Sequence, residues 1–266
     1  MPLLDIIILA LIQGITEFLP ISSSGHLVLF HWVKEGQEAL NNCDSNKLMD
    51  VAVHVGTLFS ILIYFRHDVF LMLGGVFKKN KSGQKIILNL IIASIPVIIA
   101  GFILHKFSPS FMCSIEIVAW TTIIFGVLLW WADRFETTRK FENLSPFHAL
   151  IIGIAQTFAL IPGTSRSGST MTAARALGYN RTDAARFSIL LGIVAIAGAG
   201  TLGIKDVIDS GSASLTTEVI LAALLSFISG WIAISLMMKW LEKSSFMPFV
   251  IYRMILGAVL LAIVYI

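Results

Sequence analysis

Six predominantly apolar runs, each close to the length of a bilayer-crossing helix, constrain this chain more than any other feature. They cover residues 48–65, 86–104, 117–132, 187–204, 219–238 and 248–266. Roughly 20 apolar residues in a helix cover a hydrocarbon layer about 30 Å thick, so each run reads as a membrane span. Hydrophobic residues make up 56% of the chain and charged residues 13%, with a mean hydropathy of +0.86. Soluble domains carry about 25% charged residues, which excludes a water-soluble globular fold. The net charge of +3 and the absence of any Lys/Arg-rich tract exclude nucleic acid as a partner. Cys43 and Cys113 sit in no CxxC or Cys/His cluster, so zinc and iron–sulfur chemistry are not indicated.

Two further apolar stretches break before they can cross. Residues 6–33 are interrupted at Pro20 and Gly25, and residues 143–168 at Pro162, Gly163 and Gly168. In lipid a free backbone N–H or C=O costs several kcal/mol, so a broken helix is tolerated only against protein or a polar cavity. Both stretches therefore read as re-entrant helical hairpins. Residues 66–85 read as a basic connecting loop, with Arg66, Lys78, Lys79, Lys81 and Lys85 against Asp68, which predicts a cytoplasmic position. Counting spans outward from it puts both termini outside, with the first hairpin dipping from the outer face and the second from the cytoplasmic face.

Shifted by 143 positions, residues 8–25 (ILALIQGITEFLPISSSG) lie on residues 151–168 (IIGIAQTFALIPGTSRSG) without a gap. The informative matches are Gln13/Gln156, Ser22/Ser165, Ser24/Ser167 and Gly25/Gly168. Each hairpin is followed by three spans, and an odd number inverts the second copy. The expected fold is an all-α polytopic membrane protein with an inverted-topology repeat: six transmembrane helices plus two re-entrant helical hairpins. Repeat one covers 1–142, with its hairpin at about 6–33, and repeat two 143–266, with its hairpin at about 146–178. The broken helices are then expected to meet near mid-membrane.

Chemistry-bearing residues concentrate in those breaks. Gln13 and Glu17 share a helical face and precede Ser22, Ser23, Ser24 and His26, while Gly163, Thr164, Ser165, Arg166, Ser167 and Thr170 crowd the second break. A charge at the centre of a membrane helix costs about 2.5–3.5 kcal/mol on the insertion scale, so Glu17 and Arg166 call for a function or for each other. Helix N-termini and Ser/Gly-rich turns present unpaired N–H groups to anions, and the planar fork of Arg166 suits phosphate oxygens. Ser23 is a candidate nucleophile, with His26 to take its proton or to protonate the leaving oxygen. Glu17 with Gln13 is a candidate ligand pair for a hard divalent cation completed by substrate oxygens and water. Ser22, Ser24, Gly163, Thr164, Ser165, Ser167 and Thr170 are candidate substrate contacts; for Ser22 and Ser24 a capping role is the alternative. His54 and Arg186 have ordinary structural explanations, as do Arg175, Arg181 and Asp183 near a helix start. Arg253, one or two turns inside the last span, is expected to snorkel to the interface.

The segment Gln13-Gly-Ile-Thr-Glu17-Phe-Leu-Pro-Ile-Ser-Ser-Ser-Gly-His26 resembles the (E/Q)xxxE motif and Ser-rich stretch of the bacterial undecaprenyl-diphosphate phosphatase family, the bacitracin-resistance type. Pro162-Gly-Thr-Ser-Arg-Ser-Gly-Ser-Thr170 resembles its second signature, PGxSRSxxT, and the likeness extends to the ending Phe249-Val-Ile-Tyr-Arg253. The resemblance implies an inner-membrane enzyme that removes the terminal phosphate of undecaprenyl diphosphate, recycles the carrier lipid for cell-wall synthesis and confers bacitracin resistance. It implies functional roles for Glu17, Ser23, His26 and Arg166 and a divalent metal, Mg2+ or Ca2+. Gln13 stands where many members have Glu. Attack by Ser23 through a phosphoserine and direct attack by metal-bound water both fit these residues. Carrier recycling and the outward dip of the first hairpin favour a site open to the outer, periplasmic face. A transporter or flippase of a polyprenyl phosphate lipid is the alternative, because inverted repeats with broken helices are a transporter architecture. A phosphatidic-acid phosphatase is excluded by the lack of a His shortly after Arg166.

Overall fold

A computed structural model describes residues 2–35, 47–78, 80–107, 114–209 and 217–265. They form eleven α-helices and no strand among the described residues: α1 (Leu3–Phe18), α2 (Ser23–Glu35), α3 (Lys47–Tyr64), α4 (Arg66–Lys78), α5 (Lys81–Phe107), α6 (Ile115–Ala132), α7 (Pro146–Thr157), α8 (Arg166–Ala176), α9 (Arg181–Asp209), α10 (Thr217–Leu241) and α11 (Met247–Tyr265). Cys43 and Cys113 lie outside the described residues.

The chain is an all-α polytopic membrane protein. Lys81–Leu104, Ile115–Ala132, Thr217–Leu241 and Met247–Tyr265 are each long and apolar enough to cross a bilayer. Their outward side chains are apolar: Phe102, Leu236 and Ile255 are all more than half exposed, as a surface facing lipid requires. The expected span at 187–204 is the middle of α9, a helix of 29 residues. The expected span at 48–65 is α3, which meets α4 at a bend of 82°. Here the structure corrects the sequence reading, since most of the basic segment 66–85 is helix rather than loop. Lys78, Lys81 and Lys85 suit helix ends, and the apolar residues between Phe70 and Phe77 favour helix over coil.

Both breaks arise the same way. The residue before a proline is pushed out of the helical region, and Leu19 (ψ 144°) before Pro20 and Ile161 (ψ 122°) before Pro162 are both extended. Three residues beyond Leu19 and four beyond Ile161 a serine takes positive φ, Ser22 at 75° and Ser165 at 73°. Each serine then caps the helix that follows: Ser22 Oγ accepts from Gly25 N at 3.2 Å and Ser165 Oγ from Gly168 N at 3.0 Å. Gly25 and Gly168 are thus first-turn residues of α2 and α8, not breaks. A Cβ on Gly25 would sit 3.5 Å from Gly163 Cα, which marks where the two breaks touch.

The halves interlock. α1 packs on α10 and α7 on α5, while α3 lies between α9 and α10 and α6 pairs with α11. Close approach depends on small residues, as is usual for helices in lipid. A Cβ on Gly14 would fall 2.7 Å from the Ser226 carbonyl oxygen, and one on Gly153 2.4 Å from that of Ala93. At one end Asp133 accepts from Arg175 Nε, Arg181 Nε and the Phe246 N–H, tying α6, α8, α9 and α11 together.

Candidate active site

Glu17, on the last turn of α1, is 7% exposed and bonds side chains from both breaks. Its Oε2 accepts from Ser23 Oγ at 2.7 Å and from Gln13 Nε2 at 3.0 Å, and its Oε1 accepts from Arg166 Nη2 at 3.1 Å. One carboxylate therefore joins a hydroxyl from the start of α2 to a guanidinium from the start of α8. Arg166 is anchored from behind, donating to the Ser188 carbonyl at 3.0 Å. Gly192 of α9 leaves the room, since a Cβ there would lie 2.8 Å from Arg166 Nη2. Ser23 is half-buried and Ser24 exposed, so the junction opens on the side of these hydroxyls.

His26 is not beside Ser23. Its Nδ1 donates to the Ser22 carbonyl at 2.6 Å, which in a neutral ring leaves Nε2 to accept from Tyr252 O–H, also at 2.6 Å. The two rings stack with centroids 5.7 Å apart. The expected pairing of Ser23 with His26 is replaced by Ser23 with Glu17. The reason is steric: residues three apart on α2 project on one side, but the break turns the Ser23 hydroxyl back toward α1. His54 of α3 lies within electrostatic reach of Glu17 and is held by the Asp50 carbonyl at 2.7 Å.

The remaining candidates divide between scaffold and ligand-facing groups. Ser22 and Ser165 cap helices, and their hydroxyls also meet those of Ser24 and Ser167 at 3.3 and 3.1 Å. Ser167 donates to the Leu19 carbonyl across the junction, and Thr170 Oγ1 meets Ser188 Oγ at 2.7 Å. Gly163, at φ 86°, packs where a Cβ would strike Thr121 Oγ1 at 2.2 Å, so its role is close approach to α6. Thr164 Oγ1 is buried with no hydrogen-bond partner among the described residues, a polar group still to be satisfied.

Arg253 overturns its sequence reading. It does not snorkel: it is 0% exposed and donates to five backbone carbonyls, those of Pro20, Thr121, Thr122, Gly163 and Thr164. A helix interrupted by a turn leaves carbonyls without N–H partners, and this one guanidinium satisfies carbonyls from both breaks. The signal was present, a lone cation inside an apolar run, but the broken backbone it serves is remote in sequence. Tyr252 gave no signal at all.

Residues 6–259 match the family described as bacitracin resistance protein BacA. The chain belongs to this family. Among proteins similar to it, undecaprenyl-diphosphatase of Hahella chejuensis is 47% identical, with 99% of this chain and 98% of the relative aligned. Undecaprenyl-diphosphatase of Ruegeria pomeroyi is 45% identical over the full length of both chains. Undecaprenyl-diphosphatase 1 of Rhodospirillum rubrum is 41% identical over 100% of this chain and 96% of the relative. In this BacA-family chain both signature segments fall at the junction of the breaks, with Glu17 within hydrogen-bonding distance of both Ser23 and Arg166.

Proposed function

We propose that this chain is a membrane phosphatase that hydrolyses undecaprenyl diphosphate to undecaprenyl phosphate and inorganic phosphate. The observation that carries the reading is the Ser23–Glu17–Arg166 cluster between two helix N-termini. Ser23 Oγ–H donates to a carboxylate that can take its proton, and the guanidinium and first-turn N–H groups are suited to the terminal phosphate. In the step we favour, Ser23 Oγ attacks the terminal phosphorus while Glu17 takes the proton. The anhydride P–O bond breaks, undecaprenyl phosphate leaves with the bonding pair, and water then hydrolyses the phosphoserine. Thr164 Oγ1, Ser24 and Ser167 are the further hydroxyls we assign to substrate oxygens. His26, fixed by Tyr252, is assigned to orient the substrate or to return a proton.

A divalent cation fits the donor set in one respect. Gln13 Oε1 is buried without a hydrogen-bond partner among the described residues and lies one turn from Glu17, so Gln13 and Glu17 would hold Mg2+ or Ca2+ together with substrate oxygens. The described residues contain no group of three His, Cys, Asp or Glu that could hold a metal, so the diphosphate has to complete the shell. When bound, the ion would neutralise diphosphate charge.

Two placements belong to the same proposal. One is an inverted repeat with hairpins entering from opposite faces, supported by the equivalent turns at Ser22 and Ser165. The other is an inner-membrane location with the basic segment 66–85 cytoplasmic and the site open to the outer face, supported by the charge asymmetry of the connections. The test is phosphate release from a polyprenyl diphosphate by purified protein in detergent. Wild type releases phosphate, and Ser23→Ala and Arg166→Ala each lose it by about 100-fold or more. A folded wild type that releases none turns the assignment to transport of the lipid.

A further inference from the structure

Sharing no lining residue with the Glu17–Arg166 junction, a cavity of about 430 Å³ opens between α4, α5, α9 and the 141–144 turn. Its walls are apolar, formed by Leu71, Ile86, Leu144 and Phe187, and its rim carries the exposed Lys81 and Lys85. Arg186, also lining it, is neutralised by Asp68, and Glu142 is the only carboxylate in the lining. The rim is therefore net cationic.

Asn89 also lines this cavity and is 1% exposed. Its Nδ2 donates to the Leu144 carbonyl at 3.1 Å, which fixes the amide orientation, because a carbonyl accepts only from the N–H side. Its Oδ1 accepts from no group among the described residues. A buried acceptor of this kind costs stability unless a donor reaches it.

α4 sets the depth of the site. It turns 82° from α3 and so cannot continue across the bilayer beside it. Phe70, Leu73, Val76 and Phe77 are all largely exposed along it, the mark of a helix lying in the headgroup region with its apolar side in lipid. Leu71 of the same helix forms a wall of the cavity, so we infer that the cavity lies at headgroup level.

We propose that this cavity binds an anionic phospholipid whose headgroup carries a free hydroxyl. Its phosphate sits between Lys81 and Lys85, the hydroxyl donates to Asn89 Oδ1, and an acyl chain runs along Leu71, Ile86 and Phe187. The site is separate from the hydrolytic centre and does not depend on the phosphatase reading.

Native mass spectrometry of the full chain released from mixed micelles tests it, with phosphatidylglycerol, phosphatidic acid, phosphatidylcholine and inorganic phosphate as probes. Wild type retains phosphatidylglycerol over phosphatidylcholine by about tenfold, and Lys81→Gln/Lys85→Gln removes that preference. Phosphatidic acid, with the phosphate but no headgroup hydroxyl, is retained several-fold less than phosphatidylglycerol by wild type and equally by Asn89→Ala. Phosphate release stays within about twofold in these variants, which shows that they fold. Equal retention of phosphatidylglycerol and phosphatidylcholine by wild type overturns the proposal, as does unchanged retention by the double-lysine variant. Displacement of the bound lipid by millimolar inorganic phosphate overturns it in favour of a free-anion site.

Discussion

Ser23 and Glu17 are coupled by a single hydrogen bond of 2.7 Å, and this coupling predicts how their variants combine. If the carboxylate takes the serine proton, each residue is useless without the other. Ser23→Ala and Glu17→Gln should then each lower kcat by about 10²–10⁴, and the double variant should be no slower than the worse single one. Phosphate release from a polyprenyl diphosphate at saturating substrate measures it, and multiplicative losses would show independent roles. The spacing of Gln13 and Glu17 on one face was readable from sequence, because residues four apart on an α-helix share a face whatever surrounds it. That His26 turns to Tyr252 was not, since their contact joins positions 226 residues apart.

The breaks between α1 and α2 and between α7 and α8 are the same device used twice. Position by position, Ser22 matches Ser165 as the positive-φ cap, and the next residue is Ser23 in one copy and Arg166 in the other. The proposed nucleophile and the phosphate-facing cation thus occupy equivalent first helical positions. The turns are tight enough to be tested through packing. Gly163→Ala adds a Cβ 2.2 Å from Thr121 Oγ1 at φ 86°, and should destabilise the protein by about 3 kcal/mol or more. Ser165→Ala loses the cap while keeping the positive φ, and should cost about 1 kcal/mol more than Ser165→Gly. Thermal unfolding of purified protein in detergent ranks all three. The prolines announced these turns in the sequence. Their exact edges were not announced, because Gly25 and Gly168 look like breakers until the caps that enclose them are known.

Arg253 and Asp133 hold the molecule together from opposite chemical sides, one a cation among carbonyls and the other an anion among donors. Lysine at 253 presents three donors from a single nitrogen and cannot reach five carbonyls spread over α6 and both breaks. Arg253→Lys should therefore lower the unfolding temperature by about 10 °C, from about 3 kcal/mol of unsatisfied carbonyls. Phosphate release should fall with it, because Pro20, Gly163 and Thr164 position the junction. Asp133→Asn leaves Arg175, 2% exposed, without its anionic partner, and should cost about 3–5 kcal/mol. It does not touch Glu17, Ser23 or Arg166, so phosphate release below the unfolding transition should change by about twofold at most. A loss of stability without loss of rate separates this distant tie from the proposed catalytic junction.

Local physics settled much of this protein in advance. Apolar runs of bilayer length dictated helices, prolines dictated where two of them stop, and the polar clusters at those stops marked the candidate site, because each depends on neighbours a few residues away. Folding in three dimensions settled which groups face each other: Glu17 rather than His26 against Ser23, Arg253 in the centre rather than at the surface, and a helix where residues 66–85 suggested a loop. Those outcomes depend on which orphaned carbonyl, hydroxyl or guanidinium lies within about 3 Å of which partner, a distance that hydropathy and spacing along the chain do not encode.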